Sequence, residues 1–374
     1  MKKTVAIILC FALIFVFPVS VSAADIPKTD AGAFVLYCVE NKKIILSENE
    51  NKRMKPASTT KLMTALLTLE EAEKNDRVIT FTDEMTAEGS SMYLEVGEKL
   101  RLSDLAAGMM MVSGNDAANA AAVSISGSFK KFSNLMNARA KQIGMENTHF
   151  VTPSGLDDDE HYTTAADMAL LMAVGLRSKA FSNLTSQKSA VVSFAEPSDK
   201  KITYANHNRL LKLYPDCIGG KTGYTTAAGR CLVSAARRNN VTLVCVTLDD
   251  RTDWNDHMAL YDYGFSRLSG YHSGDGSLKI DVPCVGGEQN KVALTGEGDV
   301  DIVLEGGDDK IERKIYLDSF IYAPVNKGEA LGRIDYLLGG KVLKSVKVKA
   351  AENVGEERVK KGFFQRIKEF FTYG

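Results

Sequence analysis

The chain has 374 residues, 45% hydrophobic and 25% charged, the composition of an ordinary globular protein long enough for two domains. Its 46 basic and 47 acidic residues nearly cancel, which argues against nucleic acid as a partner. Six cysteines at scattered spacings are no disulfide framework: Cys10 falls in an apolar leader, and Cys38, Cys217, Cys231, Cys245 and Cys284 read as small core residues.

Lys2 and Lys3 precede an apolar run over residues 5–21 that ends Val21-Ser22-Ala23. Small residues at that end predict a secretory signal peptide, residues 1–23, rather than a retained membrane span. The mature chain is therefore expected outside the cytoplasm. Next, the alternating run Phe34-Val-Leu-Tyr-Cys-Val39 predicts a strand, and Glu40-Asn-Lys-Lys43 the turn into a second. Pro56-Ala-Ser58 opens a helix whose Leu62, Leu66 and Leu69 fall at helical spacing. A helical middle follows over 102–126, 132–143 and the segment beginning Thr163-Thr-Ala-Ala-Asp-Met168.

Beyond Tyr204 the periodicity changes to strands over 216–224, 230–237 and 241–248. If Asn239-Asn240 turns a two-residue hairpin, Cys245 faces Ser234 across it and not Cys231. A helix over 256–264 closes a unit spanning 24–271, an α+β arrangement of an antiparallel sheet with helices. Ser273-Gly-Asp-Gly-Ser277 reads as a linker. Short runs at 291–294, 301–304, 310–317, 330–338 and 341–349, with turns at Gly306-Gly307 and Gly339-Gly340, predict a small all-β domain over 278–350.

The last segment, 355–374, is different in kind. Phe363, Phe364, Ile367, Phe370 and Phe371 fall on one face of a helix, with Arg358, Lys360, Lys361, Arg366 and Lys368 on the other side. A basic amphipathic helix with an aromatic face is expected to lie in a membrane interface.

Three short motifs carry the chemistry: Ser58-Thr-Thr-Lys61, Ser113-Gly-Asn115 and Lys221-Thr-Gly223. Singly they are cheap, since Ser128…Lys131 and Ser198…Lys201 repeat the first pattern and Ser47-Glu-Asn49 the second. Their order and settings are informative. Ser58 lies at a helix start, where the macrodipole favours a developing anion, and Lys61 one turn on reaches its oxygen. Lysine acts as the base for a serine if burial or a second cation, here Lys221, lowers its pKa. Ser113 and Asn115 form a polar break between two apolar helical stretches. There Ser113 is placed to relay a proton to a leaving amine, and the Asn115 amide to bind a substrate carbonyl. Lys221 and Thr222 would hold a substrate carboxylate, and Gly223 lets a peptide backbone pack against the strand. The backbone N–H groups of Ser58 and Tyr224 would form an oxyanion hole.

Other chemistries find little support. Gly220-Lys-Thr222 copies the end of a phosphate-binding loop, but Pro215 stands where that loop needs glycine. The five histidines make no zinc pattern, the acidic run Asp157-Asp-Asp-Glu160 reads as a solvated loop, and His257 reads as a helix-face residue. No metal and no cofactor are called for.

With these motifs the chain resembles the low-molecular-mass penicillin-binding proteins, the serine-type D-alanyl-D-alanine carboxypeptidases. Pro56-Ala-Ser-Thr-Thr-Lys-Leu-Met-Thr64, Ser113-Gly-Asn-Asp-Ala-Ala-Asn119 and Gly220-Lys-Thr-Gly-Tyr-Thr225 are similar to that family's three boxes. Thr152-Pro-Ser-Gly-Leu156 and Tyr162-Thr-Thr-Ala-Ala-Asp-Met168 look like its connecting segments. The resemblance implies a penicillin-binding, β-lactamase-like transpeptidase domain, a β-domain and a C-terminal membrane anchor. It implies attack by Ser58 on peptidoglycan stem peptides ending in D-Ala-D-Ala, acylation of Ser58 by β-lactams, and a place at the outer face of the cytoplasmic membrane. Many relatives hold the substrate carboxylate with an arginine on the helix after the last strand. Here that stretch is acidic, Asp249-Asp-Arg-Thr-Asp-Trp-Asn-Asp256; Arg251 comes earlier than that arginine would, and it is the candidate to share the carboxylate site with Lys221 and Thr222. Two rivals remain: a class A β-lactamase, or a non-catalytic protein that binds wall peptides or β-lactams. The first requires a glutamate followed four residues later by asparagine, whereas Glu160 is followed at that spacing by Thr164.

Overall fold

The computed structural model describes residues 26–306 and 310–357. The expected leader, the turn residue Gly307 and residues 358–374 of the amphipathic segment lie outside them.

Strands β1 (Ala33–Cys38) and β2 (Lys43–Glu48) form the first hairpin. Along β1, Ala33, Val35 and Tyr37 enter one core while Phe34, Leu36 and Cys38 enter another. A strand covered on both faces has no polar side, which is why this run is apolar at every position. The chain then makes a 3-10 turn, Ala57–Thr60, and enters α1 (Lys61–Lys74). Helices α2 (Leu102–Met111), α3 (Asn115–Ser126), α4 (Phe129–Ile143), α5 (Ala165–Gly175) and α6 (Lys179–Thr185) follow. Strands β3 (Cys217–Thr225), β4 (Gly229–Arg238) and β5 (Val241–Leu248) then lead to α7 (Asp253–Arg267).

The sheet order is β2-β1-β5-β4-β3, antiparallel throughout, so β3 is an edge strand. Leu62 and Leu66 of α1, Met109 of α2 and Met168 of α5 share one core with one face of this sheet. Leu260 and Tyr261 of α7 cover the other. Asn239 and Asn240 both have positive φ, 48° and 62°, as a tight hairpin requires. The turn fixes the register: Ser234 faces Cys245, and Cys231 faces Leu248. The five cysteines among the described residues are free, as expected.

The segment that reads as a linker is firmly tied down. β6 (Leu268–Ser273) leaves α7 directly and pairs with β9 (Val300–Glu305). Asp275 is 3% exposed; it accepts from Arg313 Nε and Nη2 at 3.1 and 2.5 Å, and from the Tyr336 hydroxyl. The remaining strands are β7 (Ile280–Val285), β8 (Lys291–Gly296), β10 (Glu312–Leu317), β11 (Ile321–Tyr322), β12 (Ala330–Leu338) and β13 (Lys341–Ala350). They form a six-stranded sheet, β10-β12-β13-β8-β7-β11.

Backbone pairing continues past β13. Val354 bridges Val325 and is 1% exposed, and Glu356 bridges Gly287. Glu357 N–H donates to the Gly286 carbonyl at 2.8 Å. Four residues after Asn353 are thus part of the β-domain edge. A chain ending at Asn353 should therefore unfold at lower urea concentration than one ending at Glu357, by about 2 kcal/mol for the lost Val354 side chain. Equal urea midpoints for the two truncated chains would contradict this placement.

Candidate active site

Ser58 stands in the 3-10 turn just ahead of α1, so the α-helix begins at Lys61 and not at Pro56. The turn is held open by backbone conformations that L-residues avoid. Ala57 has φ 48°, and Ser113, at the break between α2 and α3, has φ 61°. Each such non-glycine position costs on the order of 1–3 kcal/mol and persists only where packing enforces it. One enforcing element is the turn at Gly155, with φ +82°. A Cβ there would sit 1.9 Å from the Ala57 carbonyl oxygen, so glycine alone lets this turn close against Ser58.

Lys61 is fully buried, and its Nζ lies 3.0 Å from Ser58 Oγ, 2.6 Å from Asn115 Oδ1 and 2.7 Å from the Ser154 carbonyl. Burial pushes its pKa well below the usual lysine range, and the nearby Lys221 cation pushes the same way, while Asp116 opposes them. A neutral amine carries two hydrogens and one lone pair. The two carbonyl-type oxygens can only accept, so they take both hydrogens, and the lone pair is left for the Ser58 hydroxyl. The three contacts therefore orient the amine as a base.

His161 supports this arrangement, and nothing in its sequence setting pointed to it. Its Nδ1 accepts from the backbone N–H of Val151 and Thr152 at 3.1 and 3.2 Å, which places its hydrogen on Nε2, 2.9 Å from Thr60 Oγ1. Burial lowers its pKa to about 4, keeping it neutral. The ring thus ties the residue beside Lys61 to the turn that supplies the Ser154 carbonyl.

At the head of α3, Asn115 Nδ2 donates to the Glu88 carbonyl at 2.6 Å, so its amide faces Lys61 on one side and the 86–94 loop on the other. Asp116 binds that loop through Met92 N, Ser91 Oγ and Leu94 N, at 2.9, 2.6 and 3.1 Å. No motif in the sequence pointed to this role for Asp116. Ser113 is buried at this junction, 5% exposed, and its hydroxyl makes no bond among the described residues.

From the opposite wall, β3 presents Lys221 and Gly223. A Cβ on Gly223 would lie 2.9 Å from Ser58 N, so the edge strand and the Ser58 turn approach as closely as glycine permits. Lys221 is 1% exposed and donates to the Thr222 carbonyl at 2.7 Å; burial lowers its pKa to about 7. The Tyr224 side chain is 66% exposed, and its backbone lies on the same edge strand. Arg251 stands apart: it is exposed and makes no hydrogen bond or ion pair among the described residues, so nothing ties it to Lys221 or Thr222.

The competing motifs have other work. Ser128 caps α4 by accepting from Lys131 N, Ser198 lies in an exposed turn, and Thr164 caps α5 by accepting from Asp167 N. His257 lies on α7 as a helix-face residue, on its buried side: it sits fully buried between Ser234 Oγ at 2.7 Å and Thr247 Oγ1 at 3.2 Å, with its pKa lowered to about 3 by burial. Sealed from solvent, this pair has no access to a substrate.

Because the Lys221 charge helps keep Lys61 neutral, Lys221→Gln should raise the pKa of Lys61. Ser58 should then react with an activated acyl ester only at higher pH than in the parent chain, with the acidic limb of the pH–rate profile displaced upward. An unmoved or downward-shifted limb would contradict the coupling.

The chain as a whole is similar to known proteins. The D-alanyl-D-alanine carboxypeptidase family profile matches residues 20–252, and that of the penicillin-binding protein 5 C-terminal domain matches 273–356. The chain is 32% identical to D-alanyl-D-alanine carboxypeptidase DacF of Bacillus subtilis, over 98% of this chain and 97% of that protein. It is 33% identical to DacC of Escherichia coli, over 96% and 93%. Among solved structures, penicillin binding protein 5 from Haemophilus influenzae superposes with a TM-score of 0.65 at 29% identity, over 89% of this chain and all of that one. A catalytic fold matched over most of its length, followed by the matching β-domain, identifies this chain as a member of the D-alanyl-D-alanine carboxypeptidase family.

Proposed function

We propose that Ser58 carries the acyl group in the D-alanyl-D-alanine carboxypeptidase reaction, removing the terminal D-alanine from peptidoglycan stem peptides. The observation that carries this reading is the Lys61 amine, buried and held by two acceptors with its third position on Ser58 Oγ. Lys61 takes the Ser58 proton as Oγ attacks the carbonyl between the two D-alanines. The resulting oxyanion lies between the backbone N–H groups of Ser58 and Tyr224. Collapse breaks the C–N bond, and the leaving amine receives its proton through Ser113 from the lysine side. Lys221, Thr222 and Gly223 bind the substrate tail and backbone, and Asn115 lies beside its carbonyl. Water then hydrolyses the ester with Lys61 again as base. A β-lactam ring opens by the same attack, but its leaving nitrogen stays tethered and delays the water.

The test is direct. Ser58→Ala should abolish both D-alanine release from a diacyl-D-Ala-D-Ala peptide and covalent labelling by a fluorescent penicillin, whereas Ser128→Ala and Ser198→Ala should change both less than about twofold. Labelling that survives Ser58→Ala would move the nucleophile elsewhere.

The wall substrate puts the enzyme's work outside the cytoplasm. We divide the chain into a leader, 1–23, a catalytic unit, 24–271, a β-domain and a basic amphipathic tail, and assign the tail to the outer face of the cytoplasmic membrane. Because Val354, Glu356 and Glu357 pair with the β-domain, we take the tail, expected over 355–374, to begin after them. Phe364→Asp with Ile367→Asp should release the enzyme from anionic vesicles in a sedimentation assay, with peptide hydrolysis and melting temperature unchanged. Lower thermal stability with vesicle binding intact would mean that the tail packs on protein.

A further inference from the structure

The acidic stretch that replaces the expected arginine contains a formed ion pair. Asp253, in the first turn of α7, is 2% exposed. Both of its carboxylate oxygens accept from Arg230 Nη2, at 2.7 and 2.9 Å. Asp253 Oδ1 also accepts from Trp254 N at 2.8 Å, and the Arg230 guanidinium lies 5.8 Å from the Trp254 ring centroid. The arginine is therefore held in place from the side of α7.

Arg230 comes near the start of β4, directly opposite Tyr224 in the β3–β4 ladder, and Thr222 is opposite Leu232. Cross-strand partners present their side chains on one face about 5 Å apart, and diagonal neighbours lie within reach of a long side chain. Arg230 thus shares a face with Tyr224 and Thr222. Its side chain is 42% exposed. Asp253 occupies only Nη2; Nη1 has no acceptor among the described residues, and Nε is buried without one. Guanidinium offers five donors, so a second carboxylate fits without displacing Asp253.

The substrate's geometry meets this position. In a D-Ala-D-Ala end, three bonds separate the attacked carbonyl carbon from the carboxylate carbon, about 4 Å when extended. With the carbonyl oxygen at Ser58 N and Tyr224 N, the carboxylate falls beside the Thr222–Tyr224 stretch of β3. We propose that Arg230, fixed by Asp253, binds the C-terminal carboxylate of the substrate and sets the preference for a free C-terminus. Position 230 on the strand beside β3 thereby supplies the cation that the helix lacks. This assignment rests on the acyl-transfer reading of Ser58.

Two peptides test it in the full chain: a diacyl-L-Lys-D-Ala-D-Ala acid and its C-terminal amide. Arg230→Gln should lower kcat/KM on the acid by about 10- to 100-fold, the range for a hydrogen bond to a charged group, and on the amide by less than about threefold. Arg230→Lys should fall between. If Arg230→Gln leaves Asp253 unpaired and the fold suffers, the double variant Arg230→Gln/Asp253→Asn removes both charges and should show the same acid-selective loss. Equal losses on the two peptides, or an acid-selective loss in Arg251→Gln instead, would overturn the assignment. A parent chain that releases neither product would overturn the acyl-transfer reading, and this one with it; an active parent with an unselective variant overturns Arg230 alone.

Discussion

The site depends on one lysine amine buried where water does not reach. Three segments distant in sequence meet at Lys61: the 3-10 turn with Ser58, the head of α3 with Asn115, and the turn carrying Ser154. All three offer neutral oxygens, which solvate an ammonium less well than water and a carboxylate do. The nearest opposing charge, Asp116, already accepts four hydrogen bonds from Ser91, Met92, Leu94 and Ala117. Its attraction for a proton on Lys61 is the smallest of the three influences, behind burial and the Lys221 cation. Burial and the Lys221 charge both shift Lys61 toward the free base, the form that a serine nucleophile needs.

That arrangement is costly to the fold. Lys221 titrates near 7 in the folded chain, against an ordinary value of about 10.4 when unfolded. Between those values the unfolded chain binds more protons, so this lysine destabilises the fold fully below about pH 7 and progressively less as pH rises. Lys61 acts with the same sign. Left-handed backbone at Ala57 and Ser113 adds strain at the same place. What offsets these terms lies behind the site: a sheet apolar on both faces, with β1 and β5 buried along their whole lengths. The site residues sit at the rim of that core, on segments whose ends are anchored in it.

Much of this was legible in the sequence because it is written in local patterns. The strand-like runs of β3 to β5, the paired asparagines that fix the β4–β5 register, and the ordered motifs each follow from short-range chemistry. What escaped depends on pairing at a distance. The three-residue strands Val78–Thr80 and Lys99–Arg101 are too short to show alternation, yet they pair with each other. His161 and Asp116 act through backbone groups of other segments, and a backbone donor leaves no mark on the sequence. Ser273-Gly-Asp-Gly-Ser277 has the composition of a linker, and only Arg313 and Tyr336, far along the chain, make Asp275 a buried anchor. Arg230 was hidden for the same reason, since its partner Asp253 reads as one more acid in an acidic run.

An edge strand with open backbone is ordinarily a hazard, because it invites pairing with any extended chain. Here β3 closes one side of the sheet and faces the Ser58 turn, separated by no more than a glycine's width at Gly223. The 86–94 loop, pinned by Asp116 and Asn115, lies across the same cleft from α3. Beyond Gly220, whose backbone pairs with Thr185 Oγ1, this edge is of the kind that an extended peptide tail would join by strand addition. Glycine at 223 then serves two ends: it admits the Ser58 turn on one side and leaves the strand free of a side chain beside the reacting carbonyl. Any larger residue there would push the nucleophile and the recognition strand apart, so binding and chemistry are tied to one close contact.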